Sequence, residues 1–158
     1  MKRLAVVGAV LAGLLVPAAG DAQMGMGGGP GMMGGGMMGG SGVRRAFVMR
    51  YGVEPKYARM TNPLPPSLAN VQAGRKLYEQ NCAACHGPTG FGDGPAGKSL
   101  NPPPANLVGV GRTPMVTDGY LYWTIAEGGT QLQTAMPPFK GALSETQIWD
   151  LVTFLRSL

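Results

Sequence analysis

The stretch Cys82-Ala83-Ala84-Cys85-His86 decides the fold of this chain. It has the C-x-x-C-H spacing that is typical of covalent haem attachment. Cys82 and Cys85 lie about one helical turn apart, so both sulfurs can reach the two vinyl groups along one edge of a porphyrin. His86 is the only histidine of the chain and can turn its imidazole to the iron. We therefore expect one covalently bound haem c per chain.

The same two cysteines allow an alternative, because they are the only cysteines of the chain. A lone pair in an oxidising compartment can form a disulfide. A redox-active pair at this spacing would be expected within a thioredoxin-like βαβ unit. No stretch of this sequence alternates as a strand does, so the pattern favours haem attachment.

The chain begins with the features of a secretory signal peptide. Met1-Lys2-Arg3 forms a basic tip, an apolar run follows over residues 4–16, and small residues lead to Ala22. The apolar run is shorter than the ~20 residues that span a bilayer, which favours cleavage over an uncleaved anchor. We expect cleavage after Ala22, or alternatively after Gly20, and a periplasmic protein that is soluble or peripheral to the membrane.

A low-complexity segment follows, over residues 23–42, and consists almost only of glycine and methionine. It has no periodic apolar face and much backbone entropy to lose, so we expect it to be disordered. Its clustered thioethers are soft ligands that favour Cu(I). The segment is therefore either a plain tether or a weak Cu(I) site, formed by Met24, Met26, Met32, Met33, Met37 and Met38.

Residues 43–66 are interpreted as a basic, proline-rich leader outside the compact domain. Against the single acid Glu54, the leader carries Arg44, Arg45, Arg50, Lys56 and Arg59. Residues 67–158, by contrast, contain equal numbers of acidic and basic side chains. The leader is either a solvated linker or a docking arm whose effect would weaken with salt. It is short and lacks a recognition motif, which argues against nucleic acid as a partner.

Three helices and no strand are expected within residues 67–158. Capping and periodicity predict a first helix from Leu68 or Val71 to Cys82, with Ser67 or Asn70 as N-cap; a second from Thr117 or Asp118 to Gly128-Gly129; and a third after Ser144, with Gln147 completing a capping box. The loop 87–116 is long for so small a domain. A large apolar cofactor would supply a core that such a loop can wrap.

A second axial iron ligand is expected from a methionine after the attachment segment. Met136 precedes Pro137-Pro138, which stiffen its loop, and it falls between the second and third expected helices. Met115 has no comparably rigid surroundings. The alternative for Met136 is a core methionine that fills a gap. A His/Met pair would raise the reduction potential and leave no open iron position.

Residues 67–158 resemble a class I monohaem c-type cytochrome domain. Besides the haem motif, the resemblance rests on Gly74 and Tyr78 before the attachment site and on Leu151 and Phe154 in the last helix. It implies a small all-α fold, with three main helices and loops wrapped around one covalent haem. In that family the first and last helices cross where these four residues lie.

The resemblance also implies a carbonyl that orients the ligand histidine. In the family, a proline carbonyl in the loop beyond the haem accepts the other imidazole N–H, which fixes the ring. Pro104 is the expected equivalent here, with Pro103 as the alternative. Trp123 and Arg112 are candidate contacts of the haem propionates, against the alternatives of a core aromatic and a solvated charge.

These features predict an electron-transfer protein rather than an enzyme. We expect a periplasmic one-electron carrier, either soluble or acting as the cytochrome subunit of a respiratory or dehydrogenase chain. Its donor and acceptor would be redox proteins, in a membrane-associated complex or a periplasmic dehydrogenase. Two alternatives stay open: a haem enzyme or ligand sensor with an open iron position, and a copper-handling protein that uses the methionine-rich segment.

Overall fold

The computed structural model of the protein describes residues 40–158. The expected signal peptide and the methionines from Met24 to Met38 lie outside the described residues. Residues 40–42, which we expected to be disordered, instead begin a helix. The reason is that Phe47 and Val48 of the same helix pack against the core and hold it in place.

Within residues 40–158 the fold is all-α, as expected, and contains no strand. The α-helices are α1 (Gly40–Tyr51), α2 (Pro55–Ala58), α3 (Leu68–Asn81), α4 (Ala83–His86), α5 (Leu107–Gly111), α6 (Asp118–Glu127) and α7 (Glu145–Arg156). Two short 3-10 turns, Pro95–Gly97 and Thr130–Leu132, lie in the loops. No helix in the described part of the chain combines the length and the apolar character needed to cross a membrane.

The three expected helices are confirmed as α3, α6 and α7, and their first turns follow the capping signals. The hydroxyls of Ser67 and Thr117 each accept a hydrogen bond from the backbone N–H three residues ahead, at 3.2 and 3.1 Å. At the start of α7, Ser144 Oγ accepts from the Gln147 N–H (3.3 Å) and Gln147 Oε1 accepts from the Ser144 N–H (2.8 Å). This is the expected capping box.

The crossing of α3 and α7 forms the centre of the fold. Gly74 lies at the contact, where a Cβ atom would overlap the backbone carbonyl of Asp150 and come within 2.7 Å of the Phe154 Cβ. Next to it, the Tyr78 and Phe154 rings pack with their centroids 5.1 Å apart. The absence of a side chain at Gly74 therefore lets the two backbones meet. Leu151, the fourth residue predicted to pack at this crossing, is also buried.

The expectation that residues 43–66 lie outside the compact domain is wrong for much of the segment. Arg44 and Tyr57 are only 6% and 8% exposed. Phe47 on α1 stacks on Trp123 of α6, with ring centroids 6.0 Å apart. The aromatic side chains of this segment make apolar contacts with the core. A count of charges does not predict them, because it does not distinguish buried from exposed positions.

Hydrogen bonds also join this segment to α6. The Tyr57 hydroxyl donates to Glu127 Oε1 at 2.6 Å, and the Trp123 indole N–H donates to Glu54 Oε1 at 3.1 Å. Lys56 and Lys140 form ion pairs with Glu127 at 3.3 and 2.7 Å. The segment before Ser67 is thus packed and hydrogen-bonded against the helix that follows the long loop.

Candidate haem site

The attachment segment forms the junction between α3 and α4. Cys82 ends α3, and its carbonyl accepts hydrogen bonds from the backbone N–H groups of Cys85 (3.1 Å) and His86 (2.9 Å). The two cysteines and His86 therefore lie on one short helical turn. Both thiols are half-buried and free, with no disulfide between them. Burial is the main cause that raises the pKa of Cys82 to about 12, so its thiol stays protonated at neutral pH.

His86 is oriented by a backbone carbonyl, but not by the one that we expected. Its Nδ1 lies 3.0 Å from the Ala105 carbonyl oxygen, so the prediction of Pro104, or Pro103, is corrected to Ala105. The Pro104 carbonyl turns instead toward Gly92, where a Cβ atom would come within 2.7 Å of it. The prediction misses by one residue because the path of the loop decides which carbonyl faces the His86 ring. The run of prolines in the sequence does not specify that path.

The bond to Ala105 gives His86 the state that an iron ligand needs. When Nδ1 carries the proton and donates to the carbonyl, the lone pair on Nε2 is free to bind a metal. An imidazole that ligates a metal in this way is neutral. Burial, the larger cause, lowers the pKa of His86, whereas the hydrogen bond to Ala105 raises it. The net lowering favours the neutral ring.

A cavity that is partly open to solvent lies beside the attachment segment. Cys82, Cys85 and His86 line it together with Met136. Much of the remaining surface is aliphatic or proline, contributed by Pro102, Leu121, Ile125, Leu151, Leu155 and Pro137. A mostly apolar cleft with a few converging polar groups suits a large flat cofactor. The residues present therefore fit a haem.

The loop that carries Met136 is fastened to the end of α6. The Gly129 N–H donates to the Met136 carbonyl at 2.8 Å, and the Phe139 N–H donates to the Ile125 carbonyl at 3.1 Å. Gly128 ends α6 with a φ of 63°, and a Cβ atom there would come within 2.5 Å of Pro137. The glycine pair after α6 thus lets the Met136 loop approach closely. Met115, the rival candidate, is 54% exposed and does not line the cavity.

The two candidate propionate contacts lie elsewhere. Neither Trp123 nor Arg112 lines the cavity. The Trp123 indole donates to Glu54 (3.1 Å), and Arg112 donates to the Leu158 carbonyl (3.2 Å). Each side chain therefore has a structural partner away from the attachment segment.

Sequence reasoning missed a polar group on the cavity wall, formed by Arg44, Tyr120 and Thr124. Arg44 comes from α1, which we had not expected as a helix. Its spacing from Phe47 and Val48 is the i, i+3, i+4 pattern of a single helix face. That pattern was the available signal that Arg44 faces the core.

Comparisons with known proteins agree with this geometry. The family model described as cytochrome C oxidase, cbb3-type, subunit III matches residues 69–155, more than half of the 158. The cbb3-type cytochrome c oxidase subunit CcoP of Azospirillum brasilense is 27% identical over 110 residues. That match covers 65% of this chain but only 33% of the relative, so the chain spans about one third of the relative's length.

The chain also matches parts of solved structures. A chain of the reducing HAO-like protein complex of Kuenenia stuttgartiensis is 29% identical, with a TM-score of 0.51, over 60% of this chain and 46% of that chain. Cytochrome cL of Methylophaga aminisulfidivorans is 21% identical, with a TM-score of 0.42, over 71% of this chain and 65% of that chain. The family match, together with the helical fold around a C-x-x-C-H segment, leads to one conclusion: this chain belongs to the cbb3-type subunit III family of c-type cytochrome domains.

Proposed function

We propose that the protein is an exported one-electron carrier with one haem c per chain. In this proposal Cys82 and Cys85 would hold the haem covalently, and His86 and Met136 would ligate its iron. The observation that carries the proposal is the meeting of these four side chains in one mostly apolar cavity. Membership of a cytochrome family supports the electron-transfer role.

Each cysteine would contribute a thioether bond. Addition of its Sγ–H across a vinyl C=C would form one carbon–sulfur bond and place the thiol hydrogen on the neighbouring carbon, with no oxidant or reductant needed. The raised pKa of Cys82 keeps its thiol protonated before attachment. Both cysteines are half-buried beside the exposed Ala84, so the haem edge that they would hold would lie near the surface. We propose this edge as the point where electrons enter and leave.

The two axial ligands determine what the bound iron can do. When bound, the haem supplies an Fe(III)/Fe(II) couple that takes up and releases single electrons. The neutral His86 ring, held by Ala105, is one ligand, and the soft thioether of Met136 favours Fe(II). Two protein ligands would leave the iron no position for a substrate, so we propose electron transfer and not catalysis. The mostly apolar walls would limit the water near the haem, so the solvent rearrangement during transfer would be small.

Binding of an external ligand separates this proposal from an enzyme or a sensor. We expect the reduced wild-type holoprotein to leave its visible spectrum unchanged under carbon monoxide, because Met136 occupies the sixth position. The Met136→Ala variant should bind carbon monoxide readily. Met115→Ala, which changes an exposed methionine, is the matched control and should behave as wild type. Rapid binding by the wild type would favour the sensor or enzyme alternative.

Location and partners belong to the same proposal. We propose export to the periplasm with removal of residues 1–22, and exchange of electrons with redox proteins, as a soluble protein or as a subunit of a respiratory or dehydrogenase complex. The similarity to a named oxidase subunit, over one third of that subunit's length, supports such a complex. The mature N-terminus can be read by mass spectrometry of the periplasmic fraction. A first residue of Gln23 agrees with this, whereas an intact Met1 contradicts it.

A further inference from the structure

Arg44 is the buried cation of the described residues that lacks a counter-ion. Its side chain is 6% exposed. Its Nη2 donates to the Gly128 carbonyl at 2.6 Å, and its guanidinium carbon lies 4.9 Å from the centroid of the Trp123 ring. Its Nη1 is buried and has no hydrogen-bond partner within residues 40–158. One side of the guanidinium is therefore satisfied, and the other is open to a ligand.

The charge on Arg44 needs a compensating negative group. None of the ion pairs in the described part of the chain involves Arg44. Burial lowers the pKa of Arg44 to about 10, which still leaves it protonated at neutral pH. The Gly128 carbonyl at the end of α6 offers partial negative charge. A buried charge that lacks a full counter-charge is costly, so the site favours an anion beside Nη1.

A second unpartnered atom belongs to a residue on the wall of the same cavity. Thr124 Oγ1 is buried and, within the described residues, also lacks a partner. Thr124 lies one turn beyond Tyr120 on α6, and both line the cavity beside Arg44. No aspartate or glutamate lines this cavity. The polar corner thus offers donors to an anion that comes from the bound group.

We infer that Arg44, assisted by Thr124, binds a propionate carboxylate of the haem and thereby makes α1 part of the haem pocket. The inference rests on the proposed haem, whose apolar ring would lie against the aliphatic walls and whose carboxylates need donors. It assigns the contact to Arg44 rather than to Arg112 or Trp123. It also gives the segment before residue 69, which the family match does not include, a direct role at the cofactor.

This contact has a consequence for the electron affinity of the iron. A fixed positive charge close to the haem stabilises Fe(II), which carries one positive charge fewer than Fe(III). Loss of the Arg44 charge should therefore shift the one-electron equilibrium toward Fe(III). We expect about a tenfold shift, which a one-electron couple shows as a fall of about 59 mV in the midpoint potential.

Arg44→Gln and Arg45→Gln form the test pair. Both remove one positive charge from α1, but Arg45 is exposed whereas Arg44 is buried. The full-length holoproteins are compared by redox titration and by resonance Raman spectroscopy, in which the propionate bending band reports hydrogen bonding to the carboxylate. We expect Arg44→Gln to lower the midpoint potential and to shift this band. Arg45→Gln should leave the band in place and change the potential little.

Two milder variants decide the matter if Arg44→Gln yields too little holoprotein. Arg44→Lys keeps the charge but loses the guanidinium fork, and Thr124→Val removes the second donor at nearly constant volume. Each of these two variants should shift the propionate band. An unmoved band in both, or equal potentials for the Arg44→Gln and Arg45→Gln proteins, overturns the inference. Absence of covalent haem from the wild type, seen in its intact mass, overturns the proposed function itself, so the two failures are distinct.

Discussion

His86 shows how much a single side chain depends on its neighbours. The side chain follows Cys82 and Cys85 directly, so its place beside them on the cavity wall could be predicted from the spacing alone. The carbonyl that orients it could not be predicted in the same way. Ala105 and Pro104 are adjacent in sequence, and only the path of the loop past Gly92 determines which carbonyl faces the ring.

Arg44 illustrates the same limit for charge. Its sequence neighbourhood is basic, and the excess charge of residues 43–66 predicts a leader outside the domain, either a solvated linker or a docking arm. Burial of one arginine among several depends on a tertiary contact, here with Trp123 and with the end of α6. Composition carries no signal for such a contact, whereas the helical spacing of Arg44 and Phe47 does.

Tyr78 supports a prediction at the same scale. Its hydroxyl, on a side chain that is 1% exposed, donates to the Gly87 carbonyl at 2.6 Å and so ties α3 to the residue after the haem motif. Tyr78→Phe keeps the ring and removes this bond. We expect the free energy of unfolding of the holoprotein to fall by about 1 kcal/mol, measured by urea titration. Tyr51→Phe, at a 67% exposed ring, should change it by less than about 0.5 kcal/mol; equal losses would contradict the role of Tyr78.

At the level of elements, the predicted helices owe their ends to local signals. The hydroxyls of Ser67, Thr117 and Ser144 each cap the helix that follows. Each of these signals lies within four consecutive residues and does not depend on tertiary contacts. For this reason α3, α6 and α7 could be located from the sequence. Helix α1 has no side-chain cap signal of this kind and starts within a glycine-rich segment. It is held by packing on α6, so no local cap marked its start, and the spacing of Arg44, Phe47 and Val48 was its sequence signal.

The α3–α7 crossing supports a prediction with a matched control. Gly74→Ala would drive a methyl group into the Asp150 carbonyl and the Phe154 side chain. Overpacking of this kind costs about 1–3 kcal/mol, so chemical denaturation should show a clear loss of stability. Gly109→Ala adds the same methyl group where no atom lies within 4 Å, and we expect it to be neutral or slightly stabilising. A neutral Gly74→Ala would mean that the helices do not meet there.

Glu127 of α6 accepts a hydrogen bond from Tyr57 of α2. Because of this carboxylate we expect the stability of the fold to depend on pH. Hydrogen bonds from Lys140, first, and from Tyr57 lower the pKa of Glu127 from its ordinary value of 4.5 to about 2. Because the folded pKa lies below the unfolded one, the carboxylate contributes stability above pH 4.5 and loses that contribution as the pH falls toward 2. Glu127→Gln should therefore be less stable than wild type at neutral pH, with the gap closing over this range.

Thermal unfolding followed by circular dichroism at several pH values measures this gap. Glu79→Gln, at an exposed position of α3, is the control and should follow the wild-type curve. If the loss of thermal stability in Glu127→Gln stays constant from neutral pH down to pH 2, the contacts that the substitution removes are not those of the carboxylate.

For the whole described molecule, residues 40–66 are a structural part of the domain and not only a leader. Tyr57 and Phe47 pack against the core, and Glu54, Tyr57 and Lys56 bond to side chains of later elements. We expect the backbone amides of α1 to be protected from hydrogen exchange over minutes, as measured by mass spectrometry. Exchange as fast as in an unstructured peptide would restore the linker interpretation.

The cavity brings the distant parts of the chain together, and the proposed His86 and Met136 ligation is the central claim about it. Proton NMR of the reduced holoprotein tests that claim most directly, because a methionine methyl bound to a diamagnetic Fe(II) haem lies in the ring-current field above the macrocycle. We predict one methyl resonance shifted far upfield, retained in Met115→Ala and lost in Met136→Ala. A spectrum without such a resonance, or one that keeps it in Met136→Ala, would contradict the account.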